Sequence, residues 1–455
     1  RRVTNLVASA GRLLDNGDGS WDWIPPLNNT APITLSYQVS DGIASTMASA
    51  NLALTADYPL VVIEGTERSD VLKGTAANDY INGRGGNDAI QAGAGKDLLI
   101  GAAGNDRIEG QQGDDHIFAT AGDGNDIIDG GLGIDTYDLS WTNAPAYANL
   151  SSGLALSAET GSDRLYGIEQ LIGSRGDDRL VGDSRDNLLI GLNGNDVLDG
   201  GLGNDTLLGG AGLDNLIGGG GNDWLDGGAG DDTIQGGLGD DVITYNANGT
   251  YNSTSKTNNA GSDVVDGGAN GATGDRLVIN GDNNTENFRI YAVSGAANAT
   301  IRSQLTASGF TINANTEIVV LRTTGNNNFS LGTANQSNAW QMIAQARNIE
   351  EITINVNGGG ALGTNQVVTA QGNFGATNLF THTITVNGDA STVLDVTGIS
   401  SEHRMVLNSS NGGGQIIGQR PQDEINSVAP LADPVAPATD ATAEAATEGP
   451  AIHLG

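Results

Sequence analysis

The sequence predicts an all-β chain whose middle is a β-solenoid, preceded by a partial β-sandwich and followed by a β-rich cap. Three observations predict it. Aspartate recurs at every ninth residue through Asp70, Asp79, Asp88, Asp97, Asp106 and Asp115, and again through Asp178, Asp196, Asp205, Asp214, Asp223, Asp232 and Asp241, with Asn187 in the one vacant slot. Two positions after each stands an apolar residue: Leu72, Ile81, Ile90, Leu99, Ile108, Ile117, then Leu180, Leu189, Leu198, Leu207, Leu216, Leu225, Ile234 and Ile243, all Leu or Ile. Glycine is abundant (69 of 455 residues) while aromatics are only 4%, too few for one thick core but enough for a solenoid with a thin line of aliphatic residues.

The faces follow from alternation. The slots flanking the apolar one hold Lys73, Arg107, His116, Thr206, Trp224, Asp226 and Gln235, so the Leu/Ile side chain points inward and its neighbours outward, as a three-residue strand requires. His116 thereby reads as a surface residue. Collagen is excluded, because the glycines keep no three-residue period.

The formal net charge of −34 argues against nucleic acid and anionic lipid as partners and for bound cations. Cysteine is absent, so disulfides do not staple the fold. No apolar run approaches the ~18 residues of a membrane-spanning helix, and the start Arg1-Arg2-Val3, without Met, reads as a fragment or processed product.

Residues 1–59 form the partial sandwich. Asp15-Asn16-Gly17-Asp18-Gly19 is a turn between Leu13-Leu14 and Trp21-Asp22-Trp23-Ile24; Ile33, Leu35, Tyr37 and Val39 alternate as a half-buried strand, and Asp41-Gly42 turns the chain again. Residues 60–138 hold the first repeat block; a two-residue insertion precedes Asp126, and Asp135 follows nine later. Residues 139–172 interrupt the glycines but keep strand-like runs, and Leu171 lies nine before Leu180, so the coil resumes before the glycines do. Residues 173–280 hold the second block, with Asp263 and Asp275 in weaker repeats beyond a loop at 245–260. Over 281–420 Asn and Thr replace Asp while short β runs persist, among them Ile318-Val319-Val320-Leu321, Ile352-Thr353-Ile354 and Met405-Val406-Leu407. This is a metal-poor continuation of the solenoid or a compact β cap. Trp340-Gln341-Met342-Ile343 with Ala346 and Ile349 reads as one short helix, and Glu350-Glu351 as a solvated turn. Residues 421–455, with five of the ten prolines, read as a disordered tail.

Carboxylates spaced regularly in glycine turns suit a hard divalent cation. Calcium takes about 6–8 oxygens from carboxylates and carbonyls, and turns stacked on one edge supply that number. Two nonapeptides make one coil, so stacked partners lie 18 residues apart, and ions are expected between Asp70 and Asp88, Asp79 and Asp97, Asp196 and Asp214, and Asp205 and Asp223.

The consensus G-G-x-G-x-D-x-U-x, with U apolar, closely resembles the RTX nonapeptide family, strongly over 64–244 and weakly over 261–280. The resemblance implies a parallel β-roll with side-chain oxygen ligands at Asp70, Asp79, Asp88, Asp97, Asp106, Asp115, Asp126, Asp135, Asp178, Asn187, Asp196, Asp205, Asp214, Asp223, Asp232, Asp241 and Asp263. It implies carbonyl donors at loop glycines such as Gly83, Gly101, Gly104, Gly191, Gly194, Gly200, Gly203, Gly209, Gly212, Gly218, Gly221, Gly227 and Gly230. Three departures weaken the pattern: Asn187 binds less strongly than Asp, loops 66–69 and 183–186 lack most glycines, and Gln415 replaces the acid in Asn411-Gly412-Gly413-Gly414-Gln415. Residues 13–54 resemble later strands of bacterial cadherin-like or Ig-like repeats. The C-terminal run from Asn348 to Ile425 resembles the end of large secreted RTX proteins, some of which carry an animal-type haem peroxidase upstream.

These resemblances imply a Ca²⁺-binding module of a protein secreted by a Gram-negative bacterium through type I secretion machinery, folding on Ca²⁺ outside the cell. No catalytic constellation stands out: His382, His403 and His453 keep no ligand spacing, and no Lys-Ser or Lys-Thr follows a glycine run. Two other classes stay open. One is the accessory region of a secreted enzyme such as a haem peroxidase. The other is a structural adhesin or surface-layer protein with cell-surface or matrix glycans as partners.

Overall fold

The computed structural model describes residues 2–8, 12–15, 21–24, 33–40, 45–52, 61–246, 263–270, 274–281, 286–324, 340–356, 367–377, 379, 384–388, 392–410 and 414–428. The chain divides into two compact units, one running from the N-terminus to Val181 and one from Gly182 onward, with residues 191–193 grouped with the first.

In the first unit, Ile33–Ser40 pairs antiparallel with Arg2–Ala8 on one side and Ser45–Leu52 on the other. Arg12–Asp15 and Trp21–Ile24 form a hairpin in the register Leu13↔Trp23. The expected turns at residues 16–19 and 41–42 lie outside the described residues.

From residue 61 onward parallel pairing takes over. One ladder stacks Val61–Glu64, Asp79–Asn82, Leu98–Ile100, His116–Phe118, Thr136–Asp138 and Gln170–Ile172. A second stacks Val71–Lys73, Ala89–Ala94, Arg107–Gln112, Ile127–Leu132 and Gly161–Tyr166. The registers Ile81↔Leu99↔Ile117 and Leu72↔Ile90↔Ile108 set partners 18 residues apart, as two nonapeptides per coil require. The core is the Leu/Ile slot: Ile81, Ile90 and Leu99 are fully buried and Ile108 and Ile117 nearly so.

Residues 139–172 do not break this unit. Ala146–Asn149 and Leu154–Ser157 form an antiparallel hairpin whose second strand pairs antiparallel with Gly161–Tyr166, and Ala146–Asn149 pairs parallel with Arg179–Val181. Gly161–Tyr166 in turn lies parallel beside Ile127–Leu132, with Leu165 opposite Ile128. The insertion thus adds a three-strand meander to one ladder while the other passes directly from Thr136–Asp138 to Gln170–Ile172.

The second unit repeats the device. One ladder runs through Thr206–Ala211, Trp224–Ala229, Val242–Asn246, Arg276–Asn280, Glu351–Asn355, Ile384–Gly388, Met405–Ser410 and Glu424–Val428, all parallel. The other runs through Val197–Leu202, Asn215–Gly220, Thr233–Gly239 and Asp263–Asn270 to Gln341–Arg347. There Ile318–Thr324 pairs antiparallel with both Gln341–Arg347 and Glu286–Ala292, which carries the ladder on in parallel to Val367–Gly372, Val393–Ile399 and Gln415–Ile417.

Two expectations are corrected here. The segment expected as a helix at 340–349 is the strand Gln341–Arg347, because two strand edges receive it and override the helix propensity of its Ala, Gln and Met. The α-helix among the described residues is instead Ala299–Ala307, whose Leu305 packs with Tyr291, Val293, Phe310, Val319, Leu321 and Trp340. The strand Glu424–Val428 also lies inside the segment expected as a tail, held by the register Leu407↔Ile425; residues 429–455 are outside the described residues.

Where aspartate fades, a second staple appears. Asn355 Nδ2 donates to Asn280 Oδ1 (2.6 Å), Asn387 to Asn355 (2.7 Å), Asn408 to Asn387 (2.8 Å) and Asn426 to Asn408 (3.1 Å). An amide both donates and accepts, so identical residues in register satisfy one another without any ion.

Candidate metal centres

Each phased aspartate stands where a turn enters a strand. Its backbone N–H donates to Oδ1 of the carboxylate one coil further on: Asp70 to Asp88 (2.8 Å), Asp79 to Asp97 (2.8 Å), Asp88 to Asp106 (2.8 Å), Asp196 to Asp214 (2.8 Å), Asp205 to Asp223 (2.8 Å) and Asp223 to Asp241 (2.9 Å). All four aspartate pairs expected 18 residues apart are stacked. Asn187 keeps its place, donating its N–H to Asp205 Oδ1 (2.8 Å).

The second carboxylate oxygen sorts the aspartates. In Asp88, Asp97, Asp106, Asp115, Asp135, Asp205, Asp223, Asp232, Asp241 and Asp275, Oδ2 is buried with no hydrogen-bond partner. In the glycine-poor turns a hydroxyl residue takes it. Thr66 N–H (2.7 Å) and Oγ1 (2.8 Å) donate to Asp70, Thr75 N–H (2.5 Å) donates to Asp79, and Ser174 N–H (2.5 Å) and Oγ (2.7 Å) donate to Asp178. Turn 183–186 is closed by an Arg185–Asp183 ion pair (2.7 Å).

An isolated carboxylate oxygen stripped of water is costly unless something compensates it. Burial above all, and then the carboxylate on the adjacent coil, pushes Asp97 and Asp106 up to about 6, Asp205 and Asp241 to about 7, and Asp135 to about 8. Asp263, whose N–H-accepting place in the ladder follows Asp232, is raised well above its ordinary value, again mainly by burial.

The glycines make the cradle. A Cβ on Gly110 would land on Asp115 Oδ2 and the Gly130 carbonyl, so the turn closes over the carboxylate only without a side chain. Gly230, at φ 139°, sits so close above the Gly212 carbonyl oxygen that a Cβ would collide with it. The expected donors divide accordingly: Gly200, Gly209, Gly218 and Gly227 lie within strands, and Gly203, Gly212, Gly221 and Gly230 at the turns. Among the described residues no three carboxylate or imidazole side chains converge on one point. A cation in these turns would therefore draw most of its oxygens from the backbone, with one or two carboxylates supplying charge. The orphaned oxygens and side-chain-free cradles fit Ca²⁺.

Four carboxylates missing from the sequence reading take ladder positions. Asp126 N–H donates to Asp163 Oδ1 (2.9 Å), Asp135 to Glu169 Oε2 (2.9 Å), Asp275 to Glu350 Oε2 (2.9 Å) and Met405 to Asp423 Oδ1 (3.0 Å). The signal was present: Leu165, Leu171, Ile352 and Ile425 stand two positions after them. Glu350, expected in a solvated turn, is buried because it takes this place. A further ladder, of the residue before each aspartate, runs the opposite way: Asn105 N–H donates to Asn87 Oδ1 (3.0 Å) and Asn222 N–H to Asn204 Oδ1 (2.8 Å).

His116 is also corrected. It is buried, its Nε2 lies 2.7 Å from Asp138 Oδ2, and its ring stacks on Phe118 (4.3 Å), which stacks on Trp141 (4.5 Å). The outer face of this strand is roofed by rings rather than water. His403 is buried against Leu379 O (3.0 Å) and Ser401 Oγ (3.1 Å); His382 and His453 lie outside the described residues.

A parallel β-roll whose glycine turns bury orphaned carboxylates defines a calcium-binding repeat protein. Residues 64–99, 91–123, 100–137, 172–207 and 208–243 match the family described as RTX calcium-binding nonapeptide repeat (4 copies), and residues 2–55 match the cadherin-like domain. The chain carries RTX calcium-binding nonapeptide repeats and an N-terminal cadherin-like domain. No curated protein matches it.

Proposed function

We propose that the chain is the calcium-dependent folding module of a secreted bacterial protein. The observation that carries this is the row of buried carboxylate oxygens without partners in turns whose glycines have no room for a Cβ. Aspartates in the glycine-rich turns, with Asp263, supply the charged ligands and turn carbonyls the rest, whereas Asp70, Asp79 and Asp178, whose second oxygens are already held, bind more weakly. Extracellular calcium modules bind at about 10⁻⁴–10⁻³ M, well above cytosolic calcium, so the chain stays open for passage through type I machinery and closes outside. Its role is to support secretion and stability of its parent, and the chemistry of any enzyme belongs to another part of that parent.

Calorimetric titration of the full chain with Ca²⁺ tests the ligand assignment. Asp205→Ala and Asp223→Ala are expected to remove the same binding event, the double variant losing no more than either single one, because the Asp205 N–H donates to the Asp223 carboxylate and stacks the two turns. Additive losses would refute the 18-residue pairing of ligands. The cadherin-like match favours a second reading, a surface adhesin, whose test is Ca²⁺-dependent binding of the full chain to glycan-coated surfaces.

A further inference from the structure

The turn at 120–126 departs from its fellows, and its departure meets the 139–172 meander. Three residues before each phased aspartate, the side chain usually points to solvent: Leu132 is 71% exposed, Leu202 59% and Leu238 63%. Asp123 holds the same place before Asp126 and is only 3% exposed. The two extra residues of this turn let it fold inward, where Asp123 Oδ2 accepts Thr120 N–H (2.7 Å). Its Oδ1 is buried with no partner.

The turn entering Gly161–Tyr166 stacks on it residue by residue. Gly122 N–H donates to Glu159 O (2.7 Å), Ser162 N–H to Asn125 Oδ1 (2.9 Å) and Asp126 N–H to Asp163 Oδ1 (2.9 Å), and a Cβ on Gly161 would land on the Gly124 carbonyl. Each of these pairs is offset by 37 residues, so Asp123 faces Thr160. Thr160 is fully buried, and its Oγ1 likewise has no hydrogen-bond partner. Two orphaned oxygens thus lie on adjacent turns. The neighbouring Asp163 is fixed by the Tyr137 hydroxyl, which donates to its Oδ2 (2.6 Å). Burial, with the charges of Asp163 and Asp123 adding to it, raises the Asp126 carboxyl, so these groups feel one another.

We propose that Asp123 Oδ1 and Thr160 Oγ1, with carbonyls of the two stacked turns and the adjacent charge of Asp126 and Asp163, form a further Ca²⁺ site where the meander joins the roll. It differs from the nonapeptide turns in drawing a carboxylate from the variable turn position and a hydroxyl from a segment outside the matched repeats. Oxygen-only donors at a charged turn suit a hard cation that accepts irregular coordination, which Ca²⁺ does and Mg²⁺ does not. The site would clamp the meander to the first repeat block, so that the insertion and the roll close together.

The proposal rests on the calcium reading above, and its test separates the two. Ca²⁺ binding to the full chain is counted by calorimetry for the unaltered protein, Asp123→Asn, Thr160→Val and Asp205→Asn. Asp123→Asn, which keeps an acceptor for Thr120 N–H, is expected to lose one ion. Thr160→Val, of nearly equal shape, is expected to weaken that ion by about tenfold, the scale of a change in the groups around a bound metal. With Tb³⁺ in place of Ca²⁺, emission excited through tyrosine is expected to fall in Asp123→Asn and in Tyr137→Phe. Unchanged ion number and affinity in Asp123→Asn and Thr160→Val, alongside loss of an ion in Asp205→Asn, would overturn the site and leave the calcium reading standing. Absence of Ca²⁺ binding in the unaltered chain would overturn both. Circular dichroism in saturating Ca²⁺ reports folding of each variant; if Asp123→Asn does not fold, Thr160→Val decides.

Discussion

Removing calcium from the full chain is expected to open the nonapeptide strands while the asparagine-laddered strands stay closed. In the first group the core is one Leu or Ile per nine residues, and the edges carry stacked carboxylates. Two unit charges ~5 Å apart repel by about 3 kcal/mol at the effective dielectric of a protein surface, and the repulsion recurs at every coil. Without a cation that cost falls on a core too thin to bear it; with one, the binding free energy becomes folding free energy. The carboxylate stack ends with Asp275 and Glu350, the strands Ile384–Gly388 and Met405–Ser410 carry no such stack, and Asn355, Asn387 and Asn408 satisfy one another. Amide hydrogen exchange is the measurement. With EDTA, the amides of Leu99 and Leu216 are expected to exchange within seconds and those of Val386 and Leu407 to remain protected; with millimolar Ca²⁺ all four are protected. Equal protection of Leu99 and Leu216 in both conditions would contradict calcium-driven folding.

Acid is expected to replace calcium in part. The ion-free turns raise their carboxylates mainly by burial, Asp97 and Asp106 to about 6, Asp115, Asp205 and Asp241 to about 7, and Asp126 and Asp135 to about 8, from an ordinary 3.8. A folded-state value above the unfolded one means that the folded chain holds protons the unfolded chain has released. Its stabilising contribution is complete below the unfolded value and is lost as pH rises through the folded ones. The window is therefore about pH 4 to 8, and the ion-free roll is weakest at its upper end. Calcium needs the ionised carboxylates, so protons compete with it across the same window. Circular dichroism of the EDTA-treated chain is expected to gain β signal between pH 8 and 5, while the Ca²⁺ concentration at half-folding rises. A β signal flat across that range in EDTA would show that the buried carboxylates do not limit folding.

The two expectations draw on features with different visibility in the sequence. The 18-residue coil was legible because a strand exposes its period directly. A Leu or Ile fixed two places after each aspartate can satisfy a core only if every coil starts in phase, and the registers Ile81↔Leu99 and Leu216↔Ile234 follow. The glycines were legible for a steric reason, since a turn with no room for Cβ admits nothing else. The Asp163, Glu169, Glu350 and Asp423 ladder positions carried the same acid-x-apolar signal, but spacings of 37, 34 and 75 residues hid the first three from a nine-residue period. Asp423 kept the 18-residue spacing, with Met405 rather than an acid as its partner.

Composition misled where burial depends on a neighbour from elsewhere in the chain. His116 occupies an outward slot by alternation, yet Phe118, Trp141 and Asp138 enclose it. Gln341–Arg347 has the residues of a helix, yet lies between Asp263–Asn270 and Ile318–Thr324, two strands from earlier in the chain.

The sequence by itself determined the repeat, its inward and outward faces and the carboxylate at each turn, because these are local consequences of a period that strand geometry must obey. Only the tertiary structure decided which carboxylate oxygens remain without a partner. The backbone N–H of Thr66, Thr75 or Ser174 satisfies the second oxygen of Asp70, Asp79 or Asp178, and a two-residue longer turn leaves an oxygen of Asp123 without a partner. Whether a buried oxygen is satisfied depends on atoms a few ångströms away in space, and in the meanders those atoms come from segments that no nine-residue period connects.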